Sequence, residues 1–230
     1  MKQYHCEQYS PEWYRLRLGK PTASCFDKII TPGGKPSDQA RSYMHKLIAE
    51  RLLCESMDDA MHTEWMERGK ELEPEAARQF EFSKGIGLET IGFVTDEGGR
   101  FGCSPDRLVI GKNQAVEFKC PAPWTHIGYM LDGPGERYRA QVQGQLWIGE
   151  FESIHFYSYH PRMPAVHVET KPDREYIAEL EKLVTKFVND LDAKTEIARS
   201  RGVFLENPSF LTPFEEMVPG TEPITILIPE

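Results

Sequence analysis

Asp106, Glu117 and Lys119 fall within one short stretch, SPDRLVIGKNQAVEFKCP, residues 104–121. Side chains alternate between the two faces of a strand, so Glu117 and Lys119 share one face while Val116, Phe118 and Cys120 share the other. The GKN at 111–113 reads as a turn, which pairs the preceding strand with this one and brings Asp106 close to Glu117. Neighbouring carboxylates repel each other unless a proton or a cation lies between them. A hard divalent cation, held by carboxylate oxygens, a backbone carbonyl and waters, fits that pair. Lys119 would then hold an attacking water or steady the charge that develops on a phosphate during hydrolysis. The plain alternative is a surface hairpin whose Glu and Lys face solvent.

Two further residues bear on that choice. Glu73 is in helical register with Ala76, Ala77 and Phe80, which puts an acid on an apolar face, where it needs a partner. An arginine or a shared metal ion would serve. Gln141, in RAQVQGQLW, reads on spacing alone as a polar position on a half-exposed helix.

The elements that must position these residues can be read from periodicity. SDQARSYMHKLIAERLL (37–53) is helical, with Ser37 placed as an N-cap. A second helix spans 63–85, with a break expected at Gly69 or Pro74 and a stop at Gly85. GLETIGFVTDEGG, RFGCSPDRLVIG and QAVEFKCP then read as consecutive antiparallel strands after an otherwise irregular amino-terminal region. A helix at 136–150, strands at 153–161 and 165–170, and a long amphipathic helix at 173–201 complete the series. This order predicts an α/β (α+β) layer fold. Residues 202–230 hold five of the 17 prolines and an ITILI run suited to adding a strand to a sheet edge, in this or a neighbouring subunit.

Composition narrows the setting. A chain of 230 residues with 40% hydrophobic residues suits one domain with a sizeable core. No apolar run approaches the roughly 18 residues of a membrane span, and the first residues lack the apolar core of a signal peptide, so a soluble cytoplasmic protein is expected. Five cysteines without a CxxC pair argue against a disulfide framework or a zinc ribbon, and the seven histidines show no metal-ligand spacing. The net charge of −9 opposes binding to a polyanion unless Arg and Lys are concentrated in one groove.

Asp106 preceded by Pro105, then ten residues, then Glu117-Phe118-Lys119 resembles the signature of the PD-(D/E)xK nucleases. WYRLRLGKPTAS (13–24), ERGKELEPEAARQFEF (67–82), CSPDRL (103–108), VEFKCP (116–121), AQVQGQLW (140–147) and YHPRM (159–163) follow in the order found in lambda-exonuclease-like, YqaJ-type viral recombinases. The resemblance runs from about residue 11 to 200. It implies a restriction-endonuclease-like core, a central mixed β-sheet flanked by helices, over residues 1–201, with 202–230 as an oligomer or partner contact. It also implies a Mg²⁺-dependent exonuclease, with Mn²⁺ as a substitute. Such an enzyme digests one strand of linear duplex DNA from the 5′ end to mononucleotides and leaves 3′ single strands for phage-type recombination in a bacterial cell. A homotrimeric ring around the DNA and a single-strand annealing protein as partner belong to the same expectation.

Carried over by position, Glu73, Asp106 and Glu117 match the metal-binding acids of the family, with Asp106 bridging two ions, and the Phe118 carbonyl matches its backbone ligand. Lys119 matches the catalytic lysine, and Gln141 the glutamine near the attacking water or scissile phosphate. Arg17, Ser24 and Ser104 match the pocket for a terminal 5′-phosphate, a task that suits the planar fork of arginine. Their ordinary alternatives are a solvated cation for Arg17 and a helix N-cap for Ser24. Met66 falls at the strand-separating wedge position, with core packing beside Trp65 as its alternative, and Gly144 replaces the aromatic residue that follows AQVQ in the family. Two other functions compete: a PD-(D/E)xK endonuclease of restriction or repair, which would cut closed circles, and a non-catalytic DNA-end-binding scaffold.

Overall fold

A computed structural model describes residues 1–57 and 64–201, apart from the side chain of Met66; the 202–230 tail and its expected contacts lie outside the described residues. Its centre is a mixed five-stranded sheet of order β2-β5-β6-β7-β8, formed by Leu88–Glu89, Arg107–Val109, Gln114–Lys119, Ser153–His160 and Met163–Thr170. Only the β6–β7 pair is parallel. A parallel pair needs a long crossover, which here carries α4 (Pro123–Asp132) and α5 (Arg139–Ile148).

Both faces of β6 are buried from Ala115 to Phe118, and they serve different cores. Val116, Phe118 and Cys120 pack with Ala76, Ala77 and Phe80 of α3 (Glu64–Lys84). On the opposite face Ala115 joins α5, α2 (Ala40–Leu53), α6 (Arg174–Ser200) and a 3₁₀ helix (Ala23–Lys28) in the larger core, where Tyr43 stacks on Phe187. The alternation read from 116–120 therefore holds. The GKN turn also holds: β5 and β6 are antiparallel, and Gly111 adopts the positive φ of 73° that L-residues avoid.

Several expectations are corrected. The stretches from 87 to 109 do not form one meander, because each divides between two sheets. β3 (Phe93–Thr95) and β4 (Gly102–Cys103) belong to a three-stranded sheet with β1 (Lys2–Tyr4), whereas β2 and β5 join the central one. The divisions fall at Ile91 and Pro105. Gln8 Nε2 donates to both of their carbonyls, at 3.0 and 2.9 Å, and Pro105 has no N–H to offer a ladder. The region taken as irregular contains β1 and α1 (Pro11–Arg17), whose start is marked by Ser10 accepting from the Trp13 N–H and by Pro11 in the first turn. α3 runs unbroken through Gly69 and Pro74, and Pro74 is exposed. Ser37 accepts from the Gln39 N–H in a turn before α2 and does not cap it.

Candidate active site

Asp106 immediately precedes β5, and Glu117 lies on β6, so the hairpin brings the two acids together. Asp106 Oδ2 accepts the Phe118 N–H at 2.6 Å. The N–H and C=O of one strand residue lie on the same edge, so the Phe118 carbonyl is also on the Asp106 side. Glu117 is buried at 3% exposure and nearly saturated with donors. Its Oε1 accepts from Lys119 Nζ and, at 2.6 Å, from Gln141 Nε2; its Oε2 accepts from Gln145 Nε2 at 2.7 Å. Gln141 and Gln145 are one turn apart on α5, so the helix presents both amides to the strand.

Glu73 reaches the cluster from α3 and accepts from Arg107 Nη1 at 2.9 Å. The structure shows the arginine partner for Glu73, and the Glu73 charge also acts on Asp106. Burial, then the Glu117 and Glu73 charges, push Asp106 well above the usual carboxylate range. Burial also raises Glu73, against the pull of Arg107. For Lys119, burial acts downward but the Glu117 and Asp106 carboxylates outweigh it, so its ammonium is held more firmly than an ordinary lysine's. Among the described residues no three His, Cys, Asp or Glu side chains stand ready as a metal cage. The mutually repelling Asp106–Glu117 pair and the neighbouring carbonyl have the hard-oxygen chemistry of a Mg²⁺ site.

A second polar cluster opens on the same cavity. Arg17, in the last turn of α1, donates to Ser104 Oγ at 3.3 Å and to Thr22 Oγ1 at 3.4 Å, and Thr22 is hydrogen-bonded to Ser24 at 3.1 Å. The guanidinium lies over the Trp13 ring, 4.1 Å from its centroid. Arg17 Nε is buried and has no partner among the described residues. An unpaired buried donor on a cation invites an anion. Both clusters line one cavity of about 760 Å³. Its wall, among the described residues, carries five cations (Arg17, Lys28, Lys46, Lys70 and Lys119) against Glu73, Asp106 and Glu117.

The fold therefore brings together Glu73, Asp106, Glu117, Phe118, Lys119 and Gln141, and beside them Arg17, Ser24 and Ser104. Met66 is on α3, but its side chain lies outside the described residues. Thr22, Arg107 and Gln145 were missed. Gln145 could have been found from its four-residue spacing to Gln141; Thr22 and Arg107 carry no local signal. Gly144 has a physical reason: a Cβ there would meet the Phe26 ring at 2.6 Å, so the family's aromatic residue has no room. All five cysteines are free, and His126 is a satisfied core residue bonded to Ser158 and to the Pro164 carbonyl.

Comparison with known proteins agrees with this geometry. The YqaJ-like viral recombinase domain matches residues 12–152. An alkaline exonuclease (LHK-Exo) from Laribacter hongkongensis superposes with a TM-score of 0.75 at 30% identity, covering 84% of this chain and 97% of that one. LHK-Exo in complex with dAMP gives 0.75 at 32% identity over the same shares. A phage-related exonuclease from Haemophilus somnus 129PT shares the fold, with a TM-score of 0.60 at 18% identity over 76% of this chain and 96% of that one. No curated protein sequence matches.

Proposed function

Because the chain belongs to the YqaJ-like viral recombinase family, whose solved neighbours are alkaline exonucleases, we propose that it digests one strand of linear duplex DNA from a 5′-phosphorylated end. The observation that carries this reading is one cavity joining the Asp106–Glu117–Lys119 cluster to Arg17, Ser24 and Ser104, with the unpaired Arg17 Nε. An anchored terminal phosphate would position the next phosphodiester over the acids, and hydrolysis there releases a mononucleotide. LHK-Exo has been solved in complex with dAMP, a mononucleotide of the size this reading would release. Fixing both phosphates converts a diffusive encounter into an oriented one.

Asp106, Glu117 and the Phe118 carbonyl would hold Mg²⁺, with Glu73 joining them on release from Arg107; Mn²⁺ would substitute, and Asp106 would be shared if two ions bind. Bound metal supplies Lewis acidity toward the phosphate and a more acidic water. Lys119 brings a permanent ammonium to the attacked phosphate, where it orients water and stabilises the added charge. Gln141 and Gln145 fix the Glu117 carboxylate so that its oxygens cannot swing out of the site. Arg17 gives the end preference.

Retention of the protein on its substrate is assigned to a homotrimeric ring, and the 3′ strand it exposes would pass to a single-strand annealing protein. The decisive experiment is digestion of linear duplexes labelled on one strand at a time, with 5′-phosphate or 5′-hydroxyl ends, with and without Mg²⁺. Loss of the 5′-phosphorylated strand alone, with closed circles intact, is expected. Cutting of circles would make the protein an endonuclease, and no cleavage with any divalent metal would make it a binding module.

A further inference from the structure

Two tryptophans stand half free in solvent beside the catalytic cavity. Trp65, at the start of α3, is 40% exposed and lines that cavity; Trp124, in the first turn of α4, is 65% exposed. Their rings meet edge to face, with centroids 5.1 Å apart and planes at 79°. That geometry leaves ring face uncovered, and indole is the side chain with most to gain from covering it. Trp124 is tied to the chemistry through the chain itself, because α4 follows β6 after the short Cys120–Ala122 connection, two residues of which also line the cavity.

Glu64 and Glu67 share the first turn of α3 with Trp65, and cations lie on its other sides. The Arg68 guanidinium lies 5.7 Å from the Trp65 ring centroid, and its Nη1 is buried with no hydrogen-bond partner among the described residues. Lys70 lies 4.2 Å from the Tyr9 ring centroid on the same cavity wall. Aromatic faces next to unpaired cationic donors are the chemistry that holds single-stranded nucleic acid, bases on the rings and phosphates on the cations.

We infer that Trp124 and Trp65 form a stacking platform for unpaired bases at the opened DNA end. The inference rests on the nuclease reading above, since it takes the cavity to be the place where a DNA end sits. The unpaired bases belong either to the strand being digested or to the strand left behind, and the polarity of a tested overhang separates the two.

The test uses the full chain carrying Lys119→Ala, so that DNA is bound and not consumed, with fluorescence anisotropy of labelled duplexes. The ends are blunt, carry a 3′ or a 5′ thymidine overhang, or carry the same overhangs without bases. Bases on one polarity of overhang should strengthen binding about tenfold over the abasic form. Adding Trp124→Ala should remove that increment and leave blunt-end binding near its original value, and Trp124→Phe should restore part of it. Absence of a base increment in the Lys119→Ala parent, or an increment that survives both Trp124→Ala and Trp65→Ala, would overturn the platform. So would a Trp124→Ala protein whose mass by light scattering changes while its increment does not, which would assign the pair to contact between copies. Wild-type digestion of duplex DNA is measured alongside, so failure of the nuclease reading is seen separately.

Discussion

The Glu117 charge, across the β5–β6 hairpin, disfavours ionisation of Asp106. Burial and the two neighbouring acids raise Asp106 well above the carboxylate range, so in the metal-free protein its charged form is disfavoured. A raised folded-state value means stability that is present at low pH and lost as pH climbs through that value. The metal-free protein should therefore lose stability as pH rises above the ordinary aspartate range. Asp106→Asn keeps an acceptor for the Phe118 N–H and removes the repulsion, so it should stabilise the metal-free protein by about 0.5–2 kcal/mol at neutral pH while abolishing digestion. Thermal melts across pH in EDTA check this; a destabilised Asn variant would refute it. Lys119→Ala and Glu117→Ala should each lower digestion by at least about 10²-fold without changing the assembly. Undiminished cleavage by either would remove the mechanism. Arg17→Ala should abolish the advantage of a 5′-phosphate over a 5′-hydroxyl, and equal losses on both ends would deny Arg17 that role.

At the scale of elements, α5 shows how glutamines on two different faces of one helix can both be buried. Gln143 and Gln145 are inside, and each is used: Gln145 on Glu117, Gln143 on the Asp173 N–H and the Lys171 carbonyl. The helix seats itself through Gly144, which lies against Ala23 and Phe26 of the 3₁₀ helix. Gly144→Ala should cost about 1–3 kcal/mol by overpacking. Because α5 also carries Gln141 and Gln145, that shift should reach digestion as well, measurable as a lower melting temperature together with a lower rate. The helices α2, α3, α5 and α6 and the β5–β6 hairpin were legible in the sequence because their periods and turn residues are local, whereas the short α1 and α4 were not read from it. The division of 87–109 between two sheets was not, because it depends on Gln8, more than eighty residues away in the chain.

For the whole molecule, the net charge of −9 and a polyanionic substrate are reconciled by placement, with five cations facing three acids around the cavity. Digestion should weaken with added salt as those cations release DNA. Light scattering should give three times the 26.4 kDa chain mass, and a monomer at micromolar concentration would remove the ring. Among the described residues no helix is long and apolar enough to cross a membrane. The helical periods of α2, α3, α5 and α6, the face shared by Glu117 and Lys119, and the apolar register of Glu73 were determined by the sequence alone, since strand and helix periods require nothing beyond neighbouring residues. Only the tertiary structure could decide that Arg107 would take Glu73, that Gln145 would complete the hold on Glu117, and that Thr22 would join Arg17. The Arg107–Glu73 and Gln145–Glu117 pairings span 34 and 28 residues of chain, and the Arg17–Thr22 pairing spans 5 across a helix end, and they exist because folding brings those side chains within hydrogen-bond reach.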